Sequence, residues 1–162
     1  MHVRRPEPQP PRAACDDVVV GTDLVAIDDV AQAVASFGDR YLRRVYTDGE
    51  LGDCLGGASP RHGFARLAAR FAAKESTMKA LRLGDAALSF RAIEVVRADD
   101  GAPAIALHGD ARGLAERLGI AWLNVSLTHE DRWAAAVVVA GRARRPGPPR
   151  LASRIRGRAP GR

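Results

Sequence analysis

The sequence has few cysteines, few aromatic residues and no long apolar run. Its two cysteines, Cys15 and Cys54, are too few for a disulfide framework or a zinc site, so we expect a protein of the reducing cytoplasm. No apolar run approaches the roughly 18 residues that a membrane-spanning helix needs. Residues 1–14 also lack the apolar segment of a secretory signal. The composition therefore predicts neither a membrane partner nor a secreted disulfide scaffold.

Lysine is almost absent from the chain. Of the 25 basic residues, only Lys74 and Lys79 are lysines, and both lie in one segment. A lysine ammonium is a compact point charge, whereas the arginine guanidinium is a planar fork, so the two differ at a phosphate or proton-transfer site. The residues alone leave two readings open, which are a functional pair and a chance placement.

The excess positive charge lies in the C-terminal tail. The whole chain has a net charge of +6, and residues 141–162 contain eight arginines and no acid. Residues 1–17 balance, so residues 18–140 carry a net charge of −2. A nucleic-acid-binding domain carries its basic patch on the fold, so we expect no nucleic-acid binding through the folded domain. Binding through the arginine-rich tail remains an alternative.

The composition predicts one domain between two disordered ends. The chain has 162 residues, of which 46% are hydrophobic and 27% are charged, which is enough for a packed core. A proline-rich lead at 1–17 and an Arg/Pro-rich tail at 141–162 are predicted to be disordered, so the folded domain spans 18–140. Its elements run as a strand, then helices, then two hairpins with one helix between them. This order predicts an α+β fold with an antiparallel sheet packed with helices.

Periodicity and capping signals predict the individual elements. Asp28 and Asp29 supply an N-cap and first-turn acids for the first helix, and Thr47 and Glu50 have the spacing of a capping box. The predicted helices span roughly 29–44, 47–55, 61–83 and 110–118. The predicted strands span 18–27, 90–97, 103–108, 123–128 and 133–140.

Two carboxylates lie among apolar residues. Glu75 is within about 60° of Phe71 on a helix that turns about 100° per residue, and Asp23 shares a strand face with Val25. An unpaired carboxylate in such a place costs several kcal/mol, so each acid needs a cation, a metal or a proton. Lys79 is four residues after Glu75, in the better orientation for an ion pair. Asp23 taken alone has a simpler alternative, which is bonding to backbone amides.

Taken together, the two carboxylates have the composition of a hard-cation site. Magnesium usually binds one or two protein carboxylates and completes its shell with waters and substrate phosphates. Two carboxylates, two lysines and no Cys/His cluster fit magnesium and a phosphorylated substrate better than zinc. Sequence alone does not show that the two acids meet.

Ser126 and His129 lie at the second predicted hairpin. A Ser-x-x-His spacing invites comparison with a hydrolase, but the sequence has no Gly-x-Ser-x-Gly elbow there, which argues against a nucleophilic serine. His129 is then either a turn residue without a role or a phosphate contact.

Three segments together resemble the phosphopantetheinyl transferases of the holo-acyl-carrier-protein synthase type. They are GTDLVAI at 21–27, RFAAKESTMKAL at 70–81 and VSLTHE at 125–130. In that family a strand ends in G-[IV]-D, a helix carries F-x-x-K-E-[AS]-x-x-K, and a late hairpin carries S-[IL]-[ST]-H. All three motifs occur here in order, and the resemblance covers roughly 18–140. The lysine-containing helix is its most specific part.

The resemblance implies a reaction. The chain would move the 4′-phosphopantetheine group of coenzyme A onto a serine of an apo acyl carrier protein and release 3′,5′-ADP. Asp23 and Glu75 would hold Mg²⁺, and Glu75 would help deprotonate the carrier serine. Lys79 would stabilise the transferring phosphate or protonate the leaving group, and Lys74 would add charge to the coenzyme site.

The resemblance also implies binding contacts and an assembly. Arg70 and His129 would contact the 3′-phosphate of coenzyme A, and Phe71 would line the site and touch the carrier. The family forms trimers with active sites at subunit interfaces, so we expect a homotrimer. A non-catalytic relative that binds a carrier protein or coenzyme A is the alternative.

The chain departs from the family pattern at two places. After Lys79 the family runs into a glycine-rich loop, whereas here Arg82 replaces a glycine and Gly84 remains. The first helix of the family presents arginine to an acidic carrier, whereas here that place holds Asp28 and Asp29. The arginines of this region lie further along, at Arg40, Arg43 and Arg44.

Overall fold

A computed structural model describes residues 15–57, 59–82 and 88–143. These residues form strands β1 Cys15–Ala26, β2 Ile93–Arg97, β3 Pro103–Leu107, β4 Ile120–His129 and β5 Trp133–Ala143. The helices are α1 Ile27–Phe37, α2 Asp39–Val45, α3 Asp48–Leu55, α4 Pro60–Ala80 and α5 Gly109–Arg117, and a 3-10 turn covers Phe90–Ala92. None of the helices in these ranges is long and apolar enough to cross a membrane. The division into a lead, a domain and a tail stays a prediction, since most of the lead and tail lie outside the described residues.

The predicted α+β fold is confirmed, with the strands in two antiparallel sheets. One sheet has the order β1-β5-β4, and the other pairs β2 with β3. Both hairpins are present, because β2 pairs with β3 and β4 pairs with β5. Strand β1 pairs with β5 in a register that sets Asp23 opposite Ala136. It begins three residues before the predicted strand, at Cys15.

The first predicted helix is two helices. Gly38 separates α1 from α2 with φ of +54°, a left-handed conformation that glycine adopts without a Cβ penalty. The N-cap of α1 is Ala26, which makes no side-chain cap, so the assignment of an N-cap to Asp28 was wrong. Asp28 and Asp29 do supply the acids of the first turn. The capping box of Thr47 and Glu50 at α3 is confirmed.

Helix α4 lies directly on the three-stranded sheet because one residue of β1 has no side chain. A Cβ on Gly21 would lie 1.9 Å from the carbonyl oxygen of Ser76 and 2.7 Å from the nitrogen of Ala80. The hydroxyl of Ser76 donates to the carbonyl of Ala136 on β5 at 3.1 Å. Buried alanines on α4 keep the remaining contact close. This close packing brings the last turns of α4 to the strand that carries Asp23.

Candidate active site

Asp23 and Glu75 line one cavity between β1 and α4. The cavity has a volume of about 360 Å³, and Phe71 lies one helical turn before Glu75 on its wall. Asp29 and Tyr41 from the first two helices also line it. The sequence places Asp29 in the first turn of a helix and where the family meets its carrier, but its pattern does not show that Asp29 lines this cavity. Only the packing of α1 beside β1 and α4 reveals it.

The ammonium of Lys79 binds Asp23 rather than Glu75. Its Nζ lies 2.7 Å from Oδ1 of Asp23 and 3.0 Å from the carbonyl oxygen of Thr22. The ion pair predicted along the helix between Glu75 and Lys79 is not formed among the described residues. Since α4 lies so close to β1, the strand carboxylate is within reach of the lysine. The Asp23 side chain is 16% exposed and that of Lys79 is 50% exposed, so the pair lies at the edge of the protein.

The donor set of this cavity fits a hard cation. Its acidic side chains are the carboxylates of Asp23, Asp29 and Glu75, Tyr41 adds a phenol oxygen, and neither histidine nor cysteine lines it. Across the described parts of the chain, no group of three or more His, Cys, Asp or Glu side chains is close enough to hold a metal. Asp23 and Glu75 therefore offer two carboxylates at most. That number suits magnesium, which takes its remaining ligands from water and phosphate.

Arg70 and His129 line a second cavity, of about 280 Å³. Arg66 and Arg97 also line it, so the cavity is strongly basic. The side chain of Arg70 is 12% exposed and is held at 3.3 Å by the carboxylate of Asp53. The Nε of Arg70 is buried and has no hydrogen-bond partner among the described residues. A cavity lined by three arginines is suited to an anionic group.

Sequence reasoning missed the other two arginines of this basic cavity. Arg66 precedes Arg70 by four residues, and side chains at that spacing share a helix face, so the helical periodicity contained a usable signal. Arg97 ends β2, and only the tertiary structure brings it to the same cavity.

Lys74 lies in the interior and lines neither cavity, whereas the resemblance implies a charge beside the coenzyme. Its Nζ is 2.8 Å from Oε2 of Glu50, and both side chains are fully buried. The ammonium also donates to the carbonyl oxygens of Phe90, at 3.0 Å, and of Ile93. Burial lowers the pKa of Lys74, although the Glu50 carboxylate opposes this effect. All the donors of this ammonium are occupied inside the protein.

Ser126 and His129 do not form a catalytic pair. Both lie on β4 three residues apart, and strand alternation directs side chains at that spacing to opposite faces of the sheet. This agrees with the prediction that Ser126 is no nucleophile. The structure describes the segment after Lys79 only to Arg82 and resumes at residue 88, so Gly84 lies outside the described residues.

Comparison with known proteins places the fold and the motifs in one family. The family model of the 4′-phosphopantetheinyl transferase superfamily matches residues 19–138. The chain is 44% identical over 119 residues to the holo-[acyl-carrier-protein] synthase of Gloeobacter violaceus, covering 74% of this chain and 89% of that protein.

Solved structures of synthases are similar as well. The holo-[acyl-carrier-protein] synthase of Neisseria meningitidis has a TM-score of 0.68 and 31% identity, over 76% of this chain and 98% of that chain. The Helicobacter pylori synthase, solved in complex with coenzyme A, has a TM-score of 0.65 and 29% identity, over 75% of this chain and 99% of that chain. Motifs, fold and relatives agree, and the chain belongs to the holo-acyl-carrier-protein synthases of the 4′-phosphopantetheinyl transferase superfamily.

Proposed function

We propose that this protein transfers the 4′-phosphopantetheine group from coenzyme A to a serine of an apo acyl carrier protein and releases 3′,5′-ADP. Synthases of this name are its relatives, and the Helicobacter pylori protein binds coenzyme A. The observation that supports the chemistry best is the cavity with Asp23 and Glu75, beside which Lys79 holds Asp23. Carboxylates for a cation and an ammonium for a phosphate are the groups that phosphoryl transfer needs.

We assign Asp23 and Glu75 as the ligands of Mg²⁺. The metal, when bound, supplies positive charge for the pyrophosphate of coenzyme A. Glu75 has no ion-pair partner among the described residues, so its carboxylate is available to accept the proton of the carrier serine, directly or through a water. The serine oxygen then forms a bond to phosphorus as the bond to the 3′,5′-ADP oxygen breaks. Lys79 donates to the transferring phosphate or gives a proton to that leaving oxygen.

We assign the basic cavity of Arg70 and His129 to the 3′-phosphate of coenzyme A. Three arginines that line this cavity, Arg66, Arg70 and Arg97, support this assignment, because charge-assisted hydrogen bonds to a phosphate are strong. Phe71 lines the carboxylate cavity, where it would meet the pantetheine arm and the carrier protein.

A homotrimer would join the two cavities across subunit interfaces. One chain alone holds its carboxylates and its phosphate-binding arginine in separate cavities. The sheet face opposite α4 exposes Val20, Leu24 and Val137, which alternate with buried residues along β1 and β5. Exposed apolar side chains gathered on one sheet face support association with further copies. We also propose a cytoplasmic location, which the low cysteine content supports.

The deciding experiment incubates the protein with coenzyme A, Mg²⁺ and a panel of apo carrier proteins of fatty-acid and polyketide type. Mass spectrometry then shows whether a carrier gains the phosphopantetheine arm. Asp23→Asn and Glu75→Gln should each lower the rate about 100-fold or more, since a lost ligand removes several kcal/mol of barrier stabilisation. Asp110→Asn is the matched control, because Asp110 is an exposed acid of α5 that lines neither cavity and lies outside the first helix.

Two results would refute this proposal. A chain that binds coenzyme A yet modifies no carrier is a non-catalytic relative. If instead the Asp23 and Glu75 variants work as fast as the Asp110 control, transfer occurs but the metal assignment is wrong.

A further inference from the structure

The ion pair between Lys74 and Glu50 is the most enclosed charged contact in the described parts of the chain. Both side chains are fully buried, and the ammonium has three acceptors, which are Glu50, Phe90 and Ile93. A lysine ammonium has three donors, so none remains for a ligand. The reaction assigned above makes no use of this buried cation.

The Glu50 carboxylate also accepts hydrogen bonds from backbone N–H groups at the start of α3 and on strand β2. Its Oε2 accepts from the backbone N–H of Thr47 at 2.9 Å, and its Oε1 accepts from the backbone N–H of Val95 at 3.0 Å. The contact therefore ties α4 both to the start of α3 and to strand β2. Burying two charges costs much of what their attraction returns, so net stability alone explains such a pair poorly.

Lys74 directly precedes Glu75 on α4, so the angle between their two side chains around the helix axis is fixed. At about 100° per helical residue, Glu75 and then Ser76 follow Lys74 around α4. Lys74 points to α3 and β2, whereas Ser76 donates to Ala136 on β5 at 3.1 Å. Glu75 lies between these two fixed directions and lines the cavity that contains Asp23. Rotation of α4 about its own axis would turn Glu75 away from that cavity.

We propose that Lys74 is a positioning residue whose buried contact with Glu50 sets the rotation of α4, so that Glu75 and Asp23 share one cavity. This inference rests on the proposed function of Glu75. It differs from a direct role in binding coenzyme A, because Lys74 lines neither of the two cavities described above and its three donors are occupied inside the protein. It also differs from a purely structural role, because the loss should fall on metal binding and turnover rather than on stability alone.

The test uses the double variant Lys74→Met with Glu50→Gln, which removes both charges and leaves no uncompensated buried ion. Leu67→Val is the control for lost stability, since Leu67 is fully buried on the same helix and lines neither cavity. Circular dichroism and thermal melts first establish that both variants are folded at the assay temperature. Three quantities are then compared with those of the unchanged protein, which are kcat, the affinity for Mn²⁺ as a probe of the metal site, and the affinity for 3′,5′-ADP.

We expect kcat and Mn²⁺ affinity of the double variant to fall by about 10–100-fold, the usual effect of losing a residue that orients a metal ligand. Its affinity for 3′,5′-ADP should equal that of the unchanged protein, and Leu67→Val should keep all three values. If the double variant does not fold, the single Glu50→Asp variant tests the same claim, because it keeps both charges and shortens the reach of the carboxylate by one methylene. It should show a smaller loss in the same two quantities.

Two outcomes would overturn the proposal. Unchanged kcat and Mn²⁺ affinity in the folded variant would make the pair merely structural. A loss of 3′,5′-ADP affinity with normal Mn²⁺ binding would mean that Lys74 contacts the coenzyme directly. Failure of the proposed function gives a different result, because the unchanged protein would then modify no carrier. The Mn²⁺ affinities of the double variant and the unchanged protein would still show whether Lys74 positions Glu75.

Discussion

The ammonium of Lys79 lies 2.7 Å from Oδ1 of Asp23, although 56 residues separate them in sequence. The carbonyl oxygen of Thr22 accepts a second hydrogen bond from this ammonium at 3.0 Å. A lysine has three such donors, so one remains for a substrate phosphate. The contact thus joins the strand motif to the helix motif and leaves Lys79 partly exposed beside the carboxylate cavity.

Lys79→Arg should lower kcat strongly although it keeps the positive charge. A guanidinium is planar and does not give up its proton near neutral pH, so it replaces neither the shape nor the acidity of the ammonium. Steady-state kinetics with a carrier that the unchanged protein modifies would measure this. Arg112→Lys on the exposed face of α5 is the control and should leave kcat unchanged. Full activity in Lys79→Arg would show that its ammonium has no chemical role.

Arg70→Gln and His129→Ala should weaken binding of coenzyme A by about 10–100-fold, the effect of losing a hydrogen bond to a charged group of about 1.5–3 kcal/mol. Binding of 3′-dephospho-coenzyme A should change much less, because the phosphate in question is absent. Calorimetric titration with both ligands measures the difference. His129 is exposed, so its variant separates ligand binding from stability, whereas Arg70 also binds Asp53. An equal loss of affinity for the two ligands would show that the 3′-phosphate does not bind in this cavity.

Arg44→Gln should lower kcat/KM for an acidic carrier protein, and the loss should shrink as salt rises. Arg44 is an exposed basic residue of α2, whereas the first turn of α1 carries the acids Asp28 and Asp29. Charge complementarity between α2 and an acidic carrier would act mainly on the association rate, and salt would screen it. Assays at two ionic strengths test this. Arg117→Gln on α5 is the control with the same change of charge. Identical, salt-independent effects in the two variants would exclude α2 from the docking surface.

Arg82→Gly should stabilise the protein by about 1 kcal/mol. Arg82 has φ of +52°, a left-handed conformation that costs a residue with a Cβ about 1–2 kcal/mol and that glycine adopts freely. The resemblance implies a glycine at this place, and the left-handed conformation of Arg82 would favour one. Urea denaturation measures the free energy of unfolding. Arg112→Gly lies inside α5 and should instead lower the free energy of unfolding by about 1 kcal/mol. A similar decrease in Arg82→Gly would contradict the conformational explanation.

Glu94 should make stability depend on pH in the acid range. The hydroxyl of Thr47 donates to its Oε1 at 2.6 Å, which lowers the pKa of Glu94 below its ordinary value near 4.5 despite partial burial. His108, 2.8 Å from the other oxygen, lowers it further. Because the folded pKa is the lower one, this stabilisation is present above the ordinary pKa and is lost as pH falls through the folded pKa.

Glu94→Gln should therefore melt at a lower temperature than the unchanged protein near neutral pH, and the difference should disappear in acid. Thermal melts across the acid range measure it. Glu116→Gln is the control, since Glu116 is exposed and only pairs with Arg112 on its own helix. A difference in melting temperature that stays constant with pH would show that the ionisation of Glu94 contributes nothing.

Local patterns in the sequence determined the elements and the family. The β-branched run of β1, the capping box of Thr47 and Glu50 and both hairpins follow from interactions between residues close in sequence, so periodicity and turn residues reveal them. The same patterns missed the break at Gly38, because a single glycine is compatible with a helical pattern until its φ is known.

Only the tertiary structure decided which charged groups meet. Helical spacing paired Lys79 with Glu75, but the close packing of α4 on Gly21 brought its ammonium to Asp23 instead. Helical spacing also did not predict that Lys74 points into the interior whereas Glu75 faces the cavity that contains Asp23. Contacts of this kind depend on how a helix is rotated against strands and helices far away in sequence, and that rotation follows from packing rather than from local propensity.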